Sequence, residues 1–189
     1  MFVYCIQRGF TLIELLVTLA LVAILMGVAA PSFVAFQRNA ELSSLTNTLL
    51  ASMNAARGEA MKRGRNAFVS PVDNVKWGSG WVVYVDMDSS QSYTASDVTL
   101  LNSRALPAYI AISGTANAIE SPPYILFDAA GYSKKKSGAF GALTFTLARN
   151  DVPASQALAE TRRLIIASTG RVRSCKPATD ATCTASAVQ

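Results

Sequence analysis

From Phe10 to Ala30 the chain reads FTLIELLVTLALVAILMGVAA, 21 residues in which Glu14 is the only charge. As a helix this length spans a bilayer, so the run restricts the chain to folds that start from an apolar helix needing lipid or other helices around it. A carboxylate in such a segment costs about 3 kcal/mol on insertion scales and by default marks function. Arg8 precedes the run and the next basic residue is Arg38, which is compatible with a cytoplasmic start. The competing reading is a secretory signal cut after Val28-Ala29-Ala30. Against it, the run is longer than the usual signal core, carries a glutamate, and is followed at once by Pro31.

Past Pro31 the periodicity changes. Leu42, Leu45, Leu49, Met53, Ala56 and Ala60 recur at spacings of three and four, the stripe of an amphipathic helix. Gly27 and Pro31 predict a bend near the bilayer edge. Gly58 and Gly64, with Lys62, Arg63 and Arg65, predict the last turns, giving a helix roughly 80 Å long if continuous. After Gly64 short β-branched runs separated by Gly, Pro, Ser, Asn and Asp predict strands at 66–70, 80–85, 98–102, 109–113, 124–127, 142–148 and 163–168. The resulting class is α+β, a long N-terminal helix whose stripe is covered by one antiparallel β-sheet head. The polar tail after Cys175 predicts a mobile end.

The junction Arg8-Gly9-Phe10-Thr11-Leu12-Ile13-Glu14-Leu15-Leu16 resembles the class III signal of type IV pilins and pseudopilins. The resemblance implies that a prepilin peptidase cuts after Gly9, that Phe10 becomes the N-methylated first residue, and that residues 1–9 are lost, Cys5 with them. It also implies that Glu14 of one subunit pairs with the α-ammonium of a neighbour during assembly. The head resembles the FimT/GspH branch of pilin-like proteins in two places, Trp77-Gly78-Ser79-Gly80-Trp81-Val82-Val83-Tyr84-Val85-Asp86 and Ile165-Ile166-Ala167-Ser168-Thr169-Gly170-Arg171-Val172-Arg173-Ser174-Cys175. The organisation expected is a cleaved leader (1–9), a transmembrane and filament-core helix (10–30), its amphipathic continuation (31–64), a β-rich head (65–175) and a tail (176–189). The expected location is the bacterial inner membrane, with a periplasmic head, and then the filament. The implied partners are other major and minor pilins or pseudopilins, the prepilin peptidase and the inner-membrane assembly platform.

The loss of Cys5 leaves Cys175 and Cys183. Export to an oxidising compartment then implies a disulfide worth roughly 2.5 kcal/mol in loop entropy, whereas in a reducing compartment the two stay free thiols. Gly170-Arg171-Val172-Arg173 matches the GRxR motif associated with DNA uptake in some FimT-type pilins. On an extended strand Arg171 and Arg173 point the same way about 6.6 Å apart. Arg162, Arg163, Arg171, Arg173 and Lys176 against Asp180 give the end of the chain a local charge of +4, suited to salt-sensitive, sequence-independent binding of double-stranded DNA. Arg162 and Arg163 are weaker candidates because adjacent strand residues face opposite sides. The bland alternative is a solvated basic edge that discourages strand pairing. Lys134-Lys135-Lys136 reads as a solvated turn, Asp86-Met87-Asp88-Ser89-Ser90 as a plain turn rather than a calcium loop, and Trp77, Trp81 and Tyr84 as core.

The chain has no histidine, and no serine, cysteine or lysine with a base and an orienting partner, so the reading is non-enzymatic, with no cofactor and no metal ligand set. The leading function is a minor pilin of the FimT type that binds DNA for natural transformation. The alternatives are a GspH-type pseudopilin of a type II secretion system and a membrane-anchored periplasmic ligand-binding domain.

Overall fold

A computed structural model describes residues 9–185 of the chain; residues 1–8, including Cys5, and 186–189 lie outside the described residues. The chain divides into two compact units, one up to Ala40 and one from Glu41 onward.

In the first unit α1, which runs Leu12–Arg63, begins directly after Thr11. Apolar side chains such as Leu12, Ile13, Leu16, Leu19, Ile24 and Leu25 stand exposed around the helix, as an all-round apolar sequence with no partner in its own unit must leave them. The helix is bent at a break between Gly27 and Ser32, where Pro31 supplies no N–H to the ladder. Because of that break no single straight helix among the described residues is long and apolar enough to cross a membrane. The bent pair Leu12–Gly27 and Ser32–Arg63 together meet the test of length and composition.

In the second unit the rest of α1 packs on two antiparallel sheets rather than the single sheet expected. The first contains β1 (Ala67–Pro71), β2 (Trp81–Val85), β3 (Val98–Asn102), β5 (Ile125–Phe127) and β6 (Ser133–Lys134), in the order β3-β2-β1-β5-β6. The second contains β4 (Ile110–Gly114), β7 (Leu143–Arg149), β8 (Thr161–Ile166) and β9 (Val172–Cys175), in the order β4-β7-β8-β9. All seven predicted strands are present to within two residues. The two-residue β6 is too short for any periodicity to reveal.

The buried stripe of α1 is Leu42, Thr46, Leu49, Met53, Ala56 and Ala60, and Leu45 lies half-buried at its flank. Alternating steps of four and three keep these positions on one line, and Thr46 joins them because its hydroxyl donates to the Leu42 carbonyl at 2.7 Å. Val69, Val83, Phe127, Leu143, Phe145, Leu147, Leu164 and Ile166 from both sheets close over the stripe. Trp81 fills the centre and donates its Nε1–H to the buried Ser52 hydroxyl at 2.9 Å. Trp77 sits edge-on to Phe145 and donates to the Ala118 carbonyl at 2.8 Å. Tyr84 lies on the opposite face of its sheet, stacked on Phe68. Gly64 ends the helix at φ 64°, and Arg65 N–H returns to the Ala60 carbonyl at 3.2 Å, a Schellman closure.

Candidate functional site

Two regions hold the predicted site residues, one in each unit. At the start of α1, Gly9, Phe10 and Glu14 are all exposed. The Glu14 carboxylate accepts from the Thr11 N–H at 2.8 Å and the Thr11 hydroxyl at 2.9 Å, while Glu14 N–H donates to the Thr11 hydroxyl at 3.3 Å. This is a capping box, which satisfies helix-end donors that have no partner within the helix. Thr11 is thus a partner of Glu14 that the sequence reading misses, although the T-x-x-E spacing carries the signal.

The second region is the β8–β9 hairpin. Arg163 pairs with Cys175, Ile165 with Arg173 and Ile166 with Val172. The connecting turn closes through Gly170 N–H to the Ala167 carbonyl and Ala167 N–H to the Arg171 carbonyl, each 2.9 Å. Gly170 has φ 78°, and a Cβ there would lie 1.8 Å from the Gly131 carbonyl oxygen. Arg57 of α1 secures the same junction, donating Nε to the Gly131 carbonyl at 2.9 Å and Nη2 to the Thr169 carbonyl at 3.3 Å. No local motif marks Arg57, because its partners lie far along the chain.

Arg171 is exposed and sits just ahead of β9 rather than inside it. With Arg173 it lines a recess of about 230 Å³ whose other walls are Ile165, Ala167, Thr169, Thr182 and Thr184. Arg173 is half-buried and already engaged: Nη1 lies 3.3 Å from Asp180 Oδ2, and Nη2 donates to the Thr182 carbonyl at 2.8 Å. Hydrogen bonds from the Thr182 hydroxyl and N–H, with Arg173 adding its charge, hold the Asp180 carboxyl below the ordinary aspartate value.

The tail is not free as far as residue 185. Cys175 and Cys183 form a disulfide with Cα atoms 5.7 Å apart. Cys183 N–H bonds the Asp180 carbonyl, and Arg163 Nη1 donates to the Cys183 carbonyl. The tail thus folds back as a strap along the hairpin, a correction to the mobile end expected, with Asp180 and Thr182 bonded to Arg173.

The five basic residues do not form one patch. Arg162 donates to the Ala159 and Thr161 carbonyls and to the Ser43 hydroxyl, and with Lys176 it lines a separate crevice of about 220 Å³ beside α1. Arg163, Arg171 and Arg173 serve the strap side. In the lysine run, Lys134 lies 3.5 Å from the Phe140 ring centroid and Lys136 4.9 Å from that of Tyr124, so both are in use locally.

Asp86, Asp88 and Asp97 bring carboxylate oxygens within 4.8 Å of one another. Ser90 and Gln91 N–H groups serve Asp86, the Ser96 and Thr94 hydroxyls serve Asp88, and the Met87 and Thr94 N–H groups serve Asp97, so the three close their own loop. Burial pushes the Asp86 carboxyl up, while the Ser96 hydroxyl leads the hydrogen bonds that hold Asp88 well below the usual range.

An apolar, capped N-terminal helix and an antiparallel β-rich head define the class, a pilin-like α+β fold. Residues 45–170 match the family described as Type II transport protein GspH, and residues 6–30 match the prokaryotic N-terminal methylation motif. The chain belongs to the GspH family, as a minor pilin or pseudopilin anchored in a membrane, a structural subunit and not an enzyme. It is 31% identical over 87 residues to the pilin-like protein PilA1 of Thermus thermophilus, covering 46% of this chain and 53% of that relative, so the match spans about half of the relative's length. The fold resembles the type IV minor pilin FimU of Pseudomonas aeruginosa (TM-score 0.51, 21% identity, 73% of this chain and 90% of that one). It also resembles the minor pseudopilin EpsH of the Vibrio cholerae type 2 secretion system (TM-score 0.52, 13% identity, 72% and 98%). The family match ends at Gly170, so Arg171, Arg173 and the disulfide strap lie beyond it.

Proposed function

We propose that this chain is a FimT-like minor pilin whose head binds double-stranded DNA without sequence preference through the β8–β9 hairpin. The supporting observation is the placement of Arg171, exposed at the mouth of a recess that also contains Arg173 and the hydroxyl-bearing side chains of Thr169, Thr182 and Thr184. Arg171 is the leading phosphate contact. Arg173 contributes less because Asp180 shares its charge, and Gly170 shapes the turn. Arg162 and Lys176, on the α1 side, are peripheral. The leader is cut after Gly9 by a prepilin peptidase, Phe10 is methylated, and the apolar helix is held in the inner membrane until the assembly platform draws it into the filament. Glu14 then exchanges its Thr11 partners for the α-ammonium of a neighbour.

Duplex-DNA anisotropy titrations of residues 41–189 across a salt series test this reading. Arg171→Ala is expected to weaken binding and reduce the log–log salt slope by about 0.9, one phosphate contact. Asp180→Ala, which removes the carboxylate that shares the charge of Arg173, is expected to strengthen binding. A wild-type head that leaves DNA free at low salt rejects the proposal. The family match to a type II transport protein then favours a pseudopilin working in protein secretion.

A further inference from the structure

The face of the five-stranded sheet turned away from α1 is covered and aromatic. Phe68 alternates with the core residues Ala67 and Val69, and on its side it meets Val82, Tyr84, Tyr124 and Leu126. The rings run on into one another: Tyr84 stacks on Phe68 with centroids 5.3 Å apart, and Tyr93 tilts against Tyr84 at 5.0 Å. A cleft of about 400 Å³ opens on this layer, with Tyr84 among its lining residues, Tyr93 contributed by the loop after β2, and Pro122 and Pro123 by the segment before β5.

The cleft is organised before anything enters it. Tyr93 is 50% exposed, yet its hydroxyl shares a 2.6 Å hydrogen bond with Thr99, which fixes the ring. Gln91 Nε2 donates to the Lys136 carbonyl at 3.3 Å and Lys136 N–H to the Tyr124 hydroxyl at 2.9 Å, tying one wall to the other. Asn74 and Gln91 line the cleft from left-handed backbone, φ 59° and 57°, and the Asn74 carboxamide has no hydrogen-bond partner among the described residues. Such conformations gather at active sites and ligand clamps.

The lining selects a ligand class. A fixed aromatic ring suits an apolar C–H face, and neutral amides and serine hydroxyls suit a rim of hydroxyl groups. Lys136 is the one charged side chain in the lining, and its ammonium already sits against the Tyr124 ring, so a polyanion gains little. We propose that this cleft binds a neutral oligosaccharide, one pyranose ring packing on Tyr93 while Asn74 and Gln91 hydrogen-bond its hydroxyls. A proline-rich peptide, the other occupant of tyrosine-lined grooves, would leave the amides and hydroxyls largely unanswered.

The test titrates the full chain, in a zwitterionic detergent free of sugar, with cellobiose and N,N′-diacetylchitobiose, using calorimetry and saturation-transfer NMR. The wild type is expected to bind at least one of them with Kd about 1 mM, and Tyr93→Ala and Asn74→Gly each to weaken binding at least about tenfold. Asn74→Gly removes the amide while relieving the backbone, so an unchanged or raised melting temperature separates lost binding from lost fold. Retention on insoluble cellulose or chitin identifies a polymer as the source, and binding of the free disaccharide alone identifies a soluble sugar; both uphold the site. No binding of either disaccharide, equal binding by both variants, or binding of an oligoproline peptide alone overturns it.

Discussion

Gly170 meets Gly131 backbone to backbone: a Cβ on Gly170 would lie 1.8 Å from the Gly131 carbonyl oxygen, the same oxygen that accepts from Arg57. The hairpin carrying the arginines is therefore seated by α1 and by the turn before β6, and Ser133 N–H adds a bond to the Ser168 carbonyl at 3.1 Å. In the GRVR segment the glycine is a seat and Arg171 is the exposed arginine.

Gly170→Ala combines a backbone collision with a left-handed φ and is expected to destabilise the head by at least about 2 kcal/mol. Thermal denaturation of residues 41–189 checks it. A loss of DNA binding in this variant would report the lost seat, so the contact itself must be tested at Arg171.

Ser52→Ala removes the acceptor for Trp81 Nε1–H in the centre of the core. A buried donor left unpaired costs about 1–3 kcal/mol. Urea denaturation should show a lower midpoint with an unchanged slope, because the hydrophobic core is otherwise intact.

Cys175→Ser with Cys183→Ser opens the strap and is expected to cost roughly 2.5 kcal/mol in loop entropy. Arg173 also loses the fixed positions of Asp180 and Thr182, so the double variant should bind duplex DNA with a steeper salt dependence than the wild type. Equal slopes would show that the strap leaves Arg173 available as it stands.

The contacts of Asp180 within the strap should be indifferent to pH across the neutral range and weaken in acid, while the disulfide keeps the strap closed. Asp180 has a depressed folded-state pKa, so its contribution is complete above the unfolded value, about 3.9, and is lost as pH falls through the lower folded value. Amide exchange at Thr182, whose N–H donates to Asp180 Oδ1 at 2.8 Å, reads this directly. Protection already lost at pH 6 would contradict it.

Glu14→Val is expected to abolish incorporation into filaments, whereas Thr11→Ala, which removes one side of the capping box, should cost only about 1 kcal/mol of helix-end stability and leave assembly measurable. Crosslinking of assembled subunits distinguishes them. Equal defects in both variants would place the role of Glu14 in capping its own helix.

Much was legible from residue order because the signals are local. The apolar run with its lone glutamate, the three-and-four stripe from Leu42 to Ala60, the stop at Gly64 and the strand runs each depend on neighbours within a turn or a pleat. What only the tertiary structure decided depends on residues far apart in the chain. The head splits into two sheets, β6 arises because Phe127 and Leu126 have an open side to pair with, and Thr46 takes the central line of the stripe. Arg57 latches Gly131 to Thr169, and the tail returns to neutralise Arg173 while Arg162 and Lys176 turn toward α1. Periodicity sets which face of an element is apolar; it carries no record of which distant carbonyl or carboxylate a long guanidinium side chain reaches once those faces are buried.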